Sequence, residues 1–281
     1  MLADWWQYEF LRYTLFSGIL IGLICPILGT FLIVRRLSMM ADGLSHVTLA
    51  GVAAGMLLSK KFGVLQAVNP LFFGMLFSVV GSLFIERLRK VYKAYQDLAI
   101  PIILSTGLGL FTVLISIADG FTTDLYSYLF GKIVTVTQAD LFALIVVAAV
   151  VIGTVVLLYK ELFAVSFDEE FARVSGVARR SINLWFMILV ALTIAASMRI
   201  VGVLLISALI TIPVAASLQI AGSFRQTILL AILFAETSVL SGLYLAYLFD
   251  WASGGTIVLM AVVILLGVLG VKRLKMKLAR R

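Results

Sequence analysis

The sequence predicts an all-α, polytopic transmembrane helical bundle, and composition, the spacing of apolar runs and the placement of charges all lead to that class. The chain has 281 residues, of which 63% are hydrophobic and 13% are charged. A soluble domain carries about 25% charged residues, so this chain has too few charges to cover a water-facing surface. We therefore expect one transmembrane domain over residues 1–281, surrounded by lipid.

The basic residues indicate membrane topology and not a nucleic-acid partner. The net charge is +8, from 22 basic and 14 acidic residues. Most lysines and arginines end apolar runs, as the positive-inside rule requires. Placing the Arg35–Arg36 turn in the cytoplasm and alternating sides puts most of them inside, including the basic tail at 272–281. The C-terminus is then expected to be cytoplasmic.

About nine apolar runs can be marked, each near the ~20 residues that a membrane span needs. The first four are Phe10 to Val34, Met40 to Leu58, Pro70 to the charged segment at Glu86, and Pro101 to Asp119. The others are Leu141 to Tyr159, Ile182 to Ala196, Ile200 to Ile220, Thr227 to Phe249 and Thr256 to Val271. The second and sixth runs are the weakest, so about eight or nine spans are expected, and the side of the N-terminus follows from that count.

The second run contains one carboxylate, Asp42, and the only histidine of the chain, His46. Four residues apart, they share one face of a helix. His46 is ten residues past Arg36, which at helical rise is about 15 Å and close to the middle of a bilayer. Ionisable residues at that depth are functional candidates by default, and oxygen with nitrogen donors suits divalent metals. This stretch predicts a metal pathway.

Two structural alternatives compete with that hypothesis. Asp42 can cap the start of the helix, since the helix must begin near it. His46 can donate a hydrogen bond to a backbone carbonyl. The same run carries Gly51 and Gly55 in a small-xxx-small pattern, which lets helices approach closely. We expect this helix inside the bundle, where a pathway helix belongs.

A polar segment at about 167–181, FDEEFARVSGVARRS, is expected on the cytoplasmic side. Phe171, Val174 and Val177 can share one helical stripe. Such a helix either rests on the bilayer or docks a cytoplasmic partner.

Three further polar residues are weaker candidates. Glu236 in the eighth run either faces the pathway or bonds to a neighbouring helix. Asp124, in a connection on the outer side, either guides cations or caps a turn. Arg199 is expected to anchor at the membrane interface.

Several enzyme classes are disfavoured. The sequence has no GxxxxGK[ST] phosphate loop, so it is not expected to hydrolyse nucleotide. A single histidine excludes HExxH and ordinary zinc-enzyme sites. We expect a transport subunit, not an enzyme.

Four stretches together resemble the membrane permease subunits of bacterial ABC importers for zinc and manganese. They are VRRLSMMADGLSHVTLAGVAAG, DLYSYLFGKIVTVT, FDEEFARVSG and VGVLLISALITIPVAAS. The resemblance implies a homodimer in the bacterial cell membrane, a separate pair of cytoplasmic ATPases, and an external metal-binding protein. It implies no permanently bound cofactor, only the transported ion.

The resemblance also implies roles for particular residues. Asp42 and His46 match the family's DxxxH metal ligands. Asp168, Ala172 and Gly176 match the D-x-x-x-A-x-x-x-G pattern of the helix that seats in the ATPase. The stretch LYSYLFGKIVTVT and the paired arginines are closer to the zinc importers, so zinc is favoured, with manganese or iron as the alternative. A proton-coupled secondary metal transporter is the alternative from another class, although no convincing inverted repeat is visible.

Overall fold

The computed structural model describes residues 8–61, 68–92, 94–118, 123–131 and 136–278, and only the backbone of residues 123, 124 and 204. Within these residues the chain forms α-helices and no strand. The helices are α1 (Glu9–Val34), α2 (Met40–Lys61), α3 (Pro70–Val91), α4 (Ala99–Ile117), α5 (Thr123–Phe130), α6 (Gln138–Leu157), α7 (Tyr159–Phe167), α8 (Glu169–Val174), α9 (Arg179–Val201), α10 (Val203–Ser217), α11 (Phe224–Phe249) and α12 (Ser253–Leu278).

The all-α transmembrane class is confirmed. In the described part of the chain, 8 helices are long and apolar enough to cross a membrane, and the shorter α10 is apolar as well. The two runs that are weakest in the sequence, the second and the sixth, form the full-length helices α2 and α9. The short element is α10, whose 15 residues reach about 22 Å at 1.5 Å per residue. Helix α9 is longer than the sixth apolar run, because it begins ahead of that run, in the basic turn at Arg179.

The helices alternate between two ends of the bundle, which we call the Arg35 end and the Asp140 end. At the Arg35 end, the Arg35 guanidinium bonds to Ser166 and Asn183. At the Asp140 end, the Asp140 carboxylate bonds to Asn69 and Arg199. Each long helix therefore carries the chain from one end to the other, and α12 finishes at the Arg35 end.

Glycines let four helices meet at the Asp140 end. Gly202 separates α9 from α10 and has φ +87, and Gly131 ends α5 with φ +72. A Cβ on either glycine would collide with backbone of the other segment. Gly254, in the first turn of α12, lies against the Val201 carbonyl in the same way. No other residue fits these contacts, because positive φ and close backbone approach both favour glycine.

Helix α2 lies inside the bundle, as the small-xxx-small pattern predicts. Gly51 and Gly55 are buried, and a Cβ on either one would touch Phe73 or Phe77 of α3. On another face, Gly107 of α4 approaches the α2 backbone at His46 and Val47. Helices α3 and α4 thus enclose two sides of α2. Its remaining side carries the candidate ligands.

Candidate metal pathway

The candidate ligands lie on an incompletely buried stripe in the first half of α2. Asp42 and His46 are half-buried and Met39 is exposed, whereas Ala41, Leu44 and Ser45 are fully buried. The spacing of three and four residues puts Met39, Asp42 and His46 on one line along the helix. Residues that line a pathway must be reachable in this way, while the rest of the helix packs.

The Asp42 carboxylate lines a small open cavity of about 170 Å³ between α2 and α10. The other lining residues are Ser38, Met39, Ser207 and Thr211. Since Thr211 lies near the middle of α10, this contact places Asp42 within the depth of the bundle. Among the described residues, no donor bonds to the Asp42 carboxylate and no cation pairs with it. The capping alternative is therefore not realised: Asp42 is the third residue of α2, not its cap.

His46 lies one turn further along α2 than Asp42. Its Nδ1 is buried and has no hydrogen-bond partner among the described residues. Donation from this nitrogen to a backbone carbonyl, the second structural alternative, is therefore not seen. An unpartnered imidazole nitrogen beside a carboxylate is a donor set that a divalent cation can use.

One copy of the chain supplies too few ligands for a closed site. In the part of the chain that the structure describes, no three side chains of His, Cys, Asp or Glu form a metal-holding group. Asp42 and His46 contribute one carboxylate and one imidazole, whereas a tetrahedral ion takes about four ligands. A metal ion bound by Asp42 and His46 would need further ligands from outside this pair.

Of the weaker candidates, Glu236 and Arg199 do not join this cavity. The Glu236 carboxylate, on α11, packs against Gly22 of α1, where a Cβ would come within 2.9 Å of its Oε1. No described residue bonds to it, so the bonded-glutamate alternative is not seen either. Asp124 lies in α5, and its side chain is outside the described residues. Arg199 does not reach out to the interface: it forms an ion pair with the buried Asp140.

The three matched residues of the polar segment have distinct local roles. Asp168 caps α8, its Oδ1 accepting from the amides of Glu170 (3.0 Å) and Phe171 (2.9 Å). Ala172 is fully buried, and Gly176 ends the helix with φ +80. Of the predicted apolar stripe, Phe171 and Val174 are 64% and 83% exposed, whereas Val177 is half-buried and packs against the core. This short helix presents an apolar surface at the Arg35 end of the bundle.

Arg35 fixes that segment to the membrane-spanning helices. Its guanidinium donates to Ser166 Oγ at 2.8 Å and to Asn183 Oδ1 at 2.9 Å, and lies 4.5 Å from the Phe186 ring centroid. Burial lowers the pKa of Arg35 to about 10, while Glu169 acts in the opposite direction. The side chain is therefore charged at neutral pH. It ties α1, just before α2, to α7 and α9.

Sequence reasoning missed the two cavity residues that α10 contributes, Ser207 and Thr211. Both lie in a stretch that matched the family pattern, VGVLLISALITIPVAAS, but no charge or spacing distinguished them. Only the packing of α10 against α2 brings them to Asp42.

Known proteins resemble this chain over nearly its whole length. Residues 7–272 match the ABC 3 transport family. A probable metal transport system membrane protein of Treponema pallidum is 35% identical over 92% of this chain and 94% of that protein. The manganese transport system membrane protein MntC of Listeria monocytogenes is 32% identical over 92% of this chain and 89% of its own length.

The fold is shared with a solved structure. The structure described as PsaBC from Streptococcus pneumoniae in complex with Fab superimposes with a TM-score of 0.82 at 30% identity, covering 95% of both chains. Helix order, apolar composition and family match agree. The chain is a membrane permease subunit of the ABC 3 transport family, a transport protein and not an enzyme.

Proposed function

We propose that this chain is the membrane permease of an ATP-driven importer of divalent manganese. The names of several relatives support manganese: MntC of two Listeria species and ScaB of Streptococcus are all described as manganese transporters. The preference for zinc drawn from the sequence finds no such support. Carboxylate oxygen suits manganese, and one imidazole per chain is compatible with either ion.

We propose Asp42 and His46 as the ligands that hold the ion during passage. The observation that carries this is the unpaired Asp42 carboxylate on an accessible stripe in the first half of α2, most of which is buried. Two copies of the chain related by a two-fold axis would bring two carboxylates and two imidazoles together. That set completes the coordination that one copy leaves open, so the functional unit is a homodimer.

The proposed partners follow from the same family. An external metal-binding protein delivers the ion, and a pair of ATPases binds at the Arg35 end, which is cytoplasmic and also holds the C-terminus. The exposed apolar surface of α8, made by Phe171 and Val174 between Asp168 and Gly176, is the proposed seat for the ATPase. Its cap and its buried Ala172 give it the fixed shape that docking needs.

Uptake of radioactive manganese by cells that carry the complete importer tests the ligand assignment. Asp42→Asn and His46→Ala should each reduce uptake at least about tenfold. Each change removes one ligand, and the other residue of the pair must then bind the ion alone. Asp250→Asn is the control, since Asp250 lies far from the pathway at φ 54, which Asn tolerates. Wild-type uptake in both ligand variants would defeat the assignment.

The same assay decides between ions and between classes. Unlabelled manganese should compete with the tracer more strongly than zinc or iron. Uptake should also require the ATPase partner. Uptake that continues without the ATPase and follows a proton gradient would favour the secondary transporter.

A further inference from the structure

Helix α10 turns a half-exposed polar stripe toward Asp42. Ser207 and Thr211, four residues apart, are both half-buried, whereas Ile206, Ile210 and Val214 on the adjacent face are fully buried. Both hydroxyl residues line the Asp42 cavity. One wall of that cavity thus carries a carboxylate, and the facing wall carries two neutral oxygens.

The position of α10 is fixed by contacts on its other side. Gly29 of α1 lies so close to α10 that a Cβ would collide with the Ile210 carbonyl. At its start, Gly202 holds α10 against α5. Because the close backbone contacts with α1 and α5 prevent α10 from shifting or rotating, the Ser207 and Thr211 side chains keep a fixed direction relative to α2.

Both hydroxyl groups have oxygen lone pairs available to a cation in the cavity. The Thr211 Oγ1 donates its one proton to the Ser207 carbonyl at 2.9 Å, so only its lone pairs can face the cavity. The Ser207 hydroxyl has no hydrogen bond to another described residue. It can therefore turn a lone pair toward an ion. Neutral oxygen ligands replace water around hard cations such as manganese, while zinc favours nitrogen and sulfur.

From this geometry we infer that Ser207 and Thr211 form the second wall of the ion path and set its preference for oxygen-seeking divalent cations. They accept the ion from its hydration shell as it reaches Asp42. The inference rests on the proposed function, because it assigns a role at the same site. It adds a selectivity element that neither Asp42 nor His46 provides.

The test measures manganese and zinc uptake side by side in proteoliposomes that hold the complete importer. The variants are Thr211→Val, which keeps the branched shape without the oxygen, Ser207→Ala, and the two together. The double variant should lose manganese uptake by about tenfold, the scale of one hydrogen bond to a charged group. Zinc uptake should change far less, so the manganese-to-zinc ratio falls. Thr211→Ser, which retains the hydroxyl, should keep the wild-type ratio.

Thr237→Val is the matched control. Thr237 lies on the exposed face of α11 and makes the same bond to the carbonyl four residues earlier, Leu233, at 2.9 Å. Its loss should leave both ions unaffected. The inference would be overturned by an unchanged manganese-to-zinc ratio in the double variant. It would also be overturned by a fall of that ratio in Thr211→Ser as large as in the double variant. If Asp42→Asn then still abolishes uptake, the proposed ligands stand without this inference. If Asp42→Asn and His46→Ala are both silent as well, the proposed ligand assignment fails too.

Discussion

The buried Asp140 carboxylate organises the residues around it at one end of the bundle. It is 2% exposed and accepts hydrogen bonds from Thr137, Asn69 and Arg199. The Arg199 guanidinium also lies 5.3 Å from the Tyr128 ring centroid. A buried charge needs hydrogen-bond and ion-pair partners to offset the loss of water. Through these partners Asp140 joins α3, α6 and α9.

Replacing Asp140 with alanine should lower the free energy of unfolding by about 3–5 kcal/mol, because Arg199 would remain buried without its partner. Thermal unfolding of the purified chain in detergent measures the change. The matched control is Glu9→Ala, which breaks the exposed Glu9–Arg12 pair at 3.6 Å. That loss should stay below about 1 kcal/mol. Equal effects of the two changes would show that the Asp140 pair contributes no more than a surface contact.

Single residues divide into those that the sequence could single out and those that it could not. Asp42 and His46 stood out because charged or titratable residues are rare in apolar runs. Arg199 was noticed but interpreted as an interface anchor, because the sequence cannot pair it with an aspartate 59 positions away. Ser207 and Thr211 are common in membrane helices, so only the three-dimensional contact with Asp42 marks them.

At the scale of helices, the junction at the Asp140 end depends on which glycine stands where. Gly254 and Gly255 are neighbours in the first turn of α12. Gly254 lies against the backbone carbonyls of Val201 and Phe130, whereas a Cβ on Gly255 would meet nothing within 4 Å. Ser253 reinforces the junction by donating to the Ile200 carbonyl at 2.9 Å.

Gly254→Ala should therefore destabilise the protein by several kcal/mol, because backbone on both sides would have to move. Gly255→Ala should be neutral or stabilising by about 0.5–1 kcal/mol, since alanine is the better helix former. The melting temperatures of the two variants in detergent make the comparison. A tolerated Gly254→Ala would mean that α12 is free to shift from α9.

Element existence was largely predictable, and element ends were not. Each apolar run became a helix, because a hydrocarbon environment leaves the backbone no other way to satisfy its polar groups. The position of the division at Gly202 could not be predicted, because in the sequence the apolar runs of α9 and α10 are separated at Met198 and Arg199. Backbone contact with Gly131, far away in sequence, fixes the break there.

For the molecule as a whole, the structure links three regions that lie apart in sequence. Arg35 connects the start of the candidate pathway helix to α7, which leads into the proposed ATPase seat on α8. The Asp42 cavity lies between α2 and α10 and is open to the outside of the chain. If the ATPases seat on α8 as proposed, Arg35 provides a direct contact between that region and the start of α2.

The most direct test of the central claim uses the fact that His46 is the only histidine in the chain. The complete importer is assembled with this chain alone carrying nitrogen-15 histidine and a purification tag without histidine. Pulsed electron paramagnetic resonance of Mn²⁺ in the loaded complex should then show a nitrogen-15 coupling, which disappears in His46→Ala. Manganese held within the membrane-spanning subunits with no nitrogen-15 coupling would contradict the claim that the ion passes between Asp42 and His46.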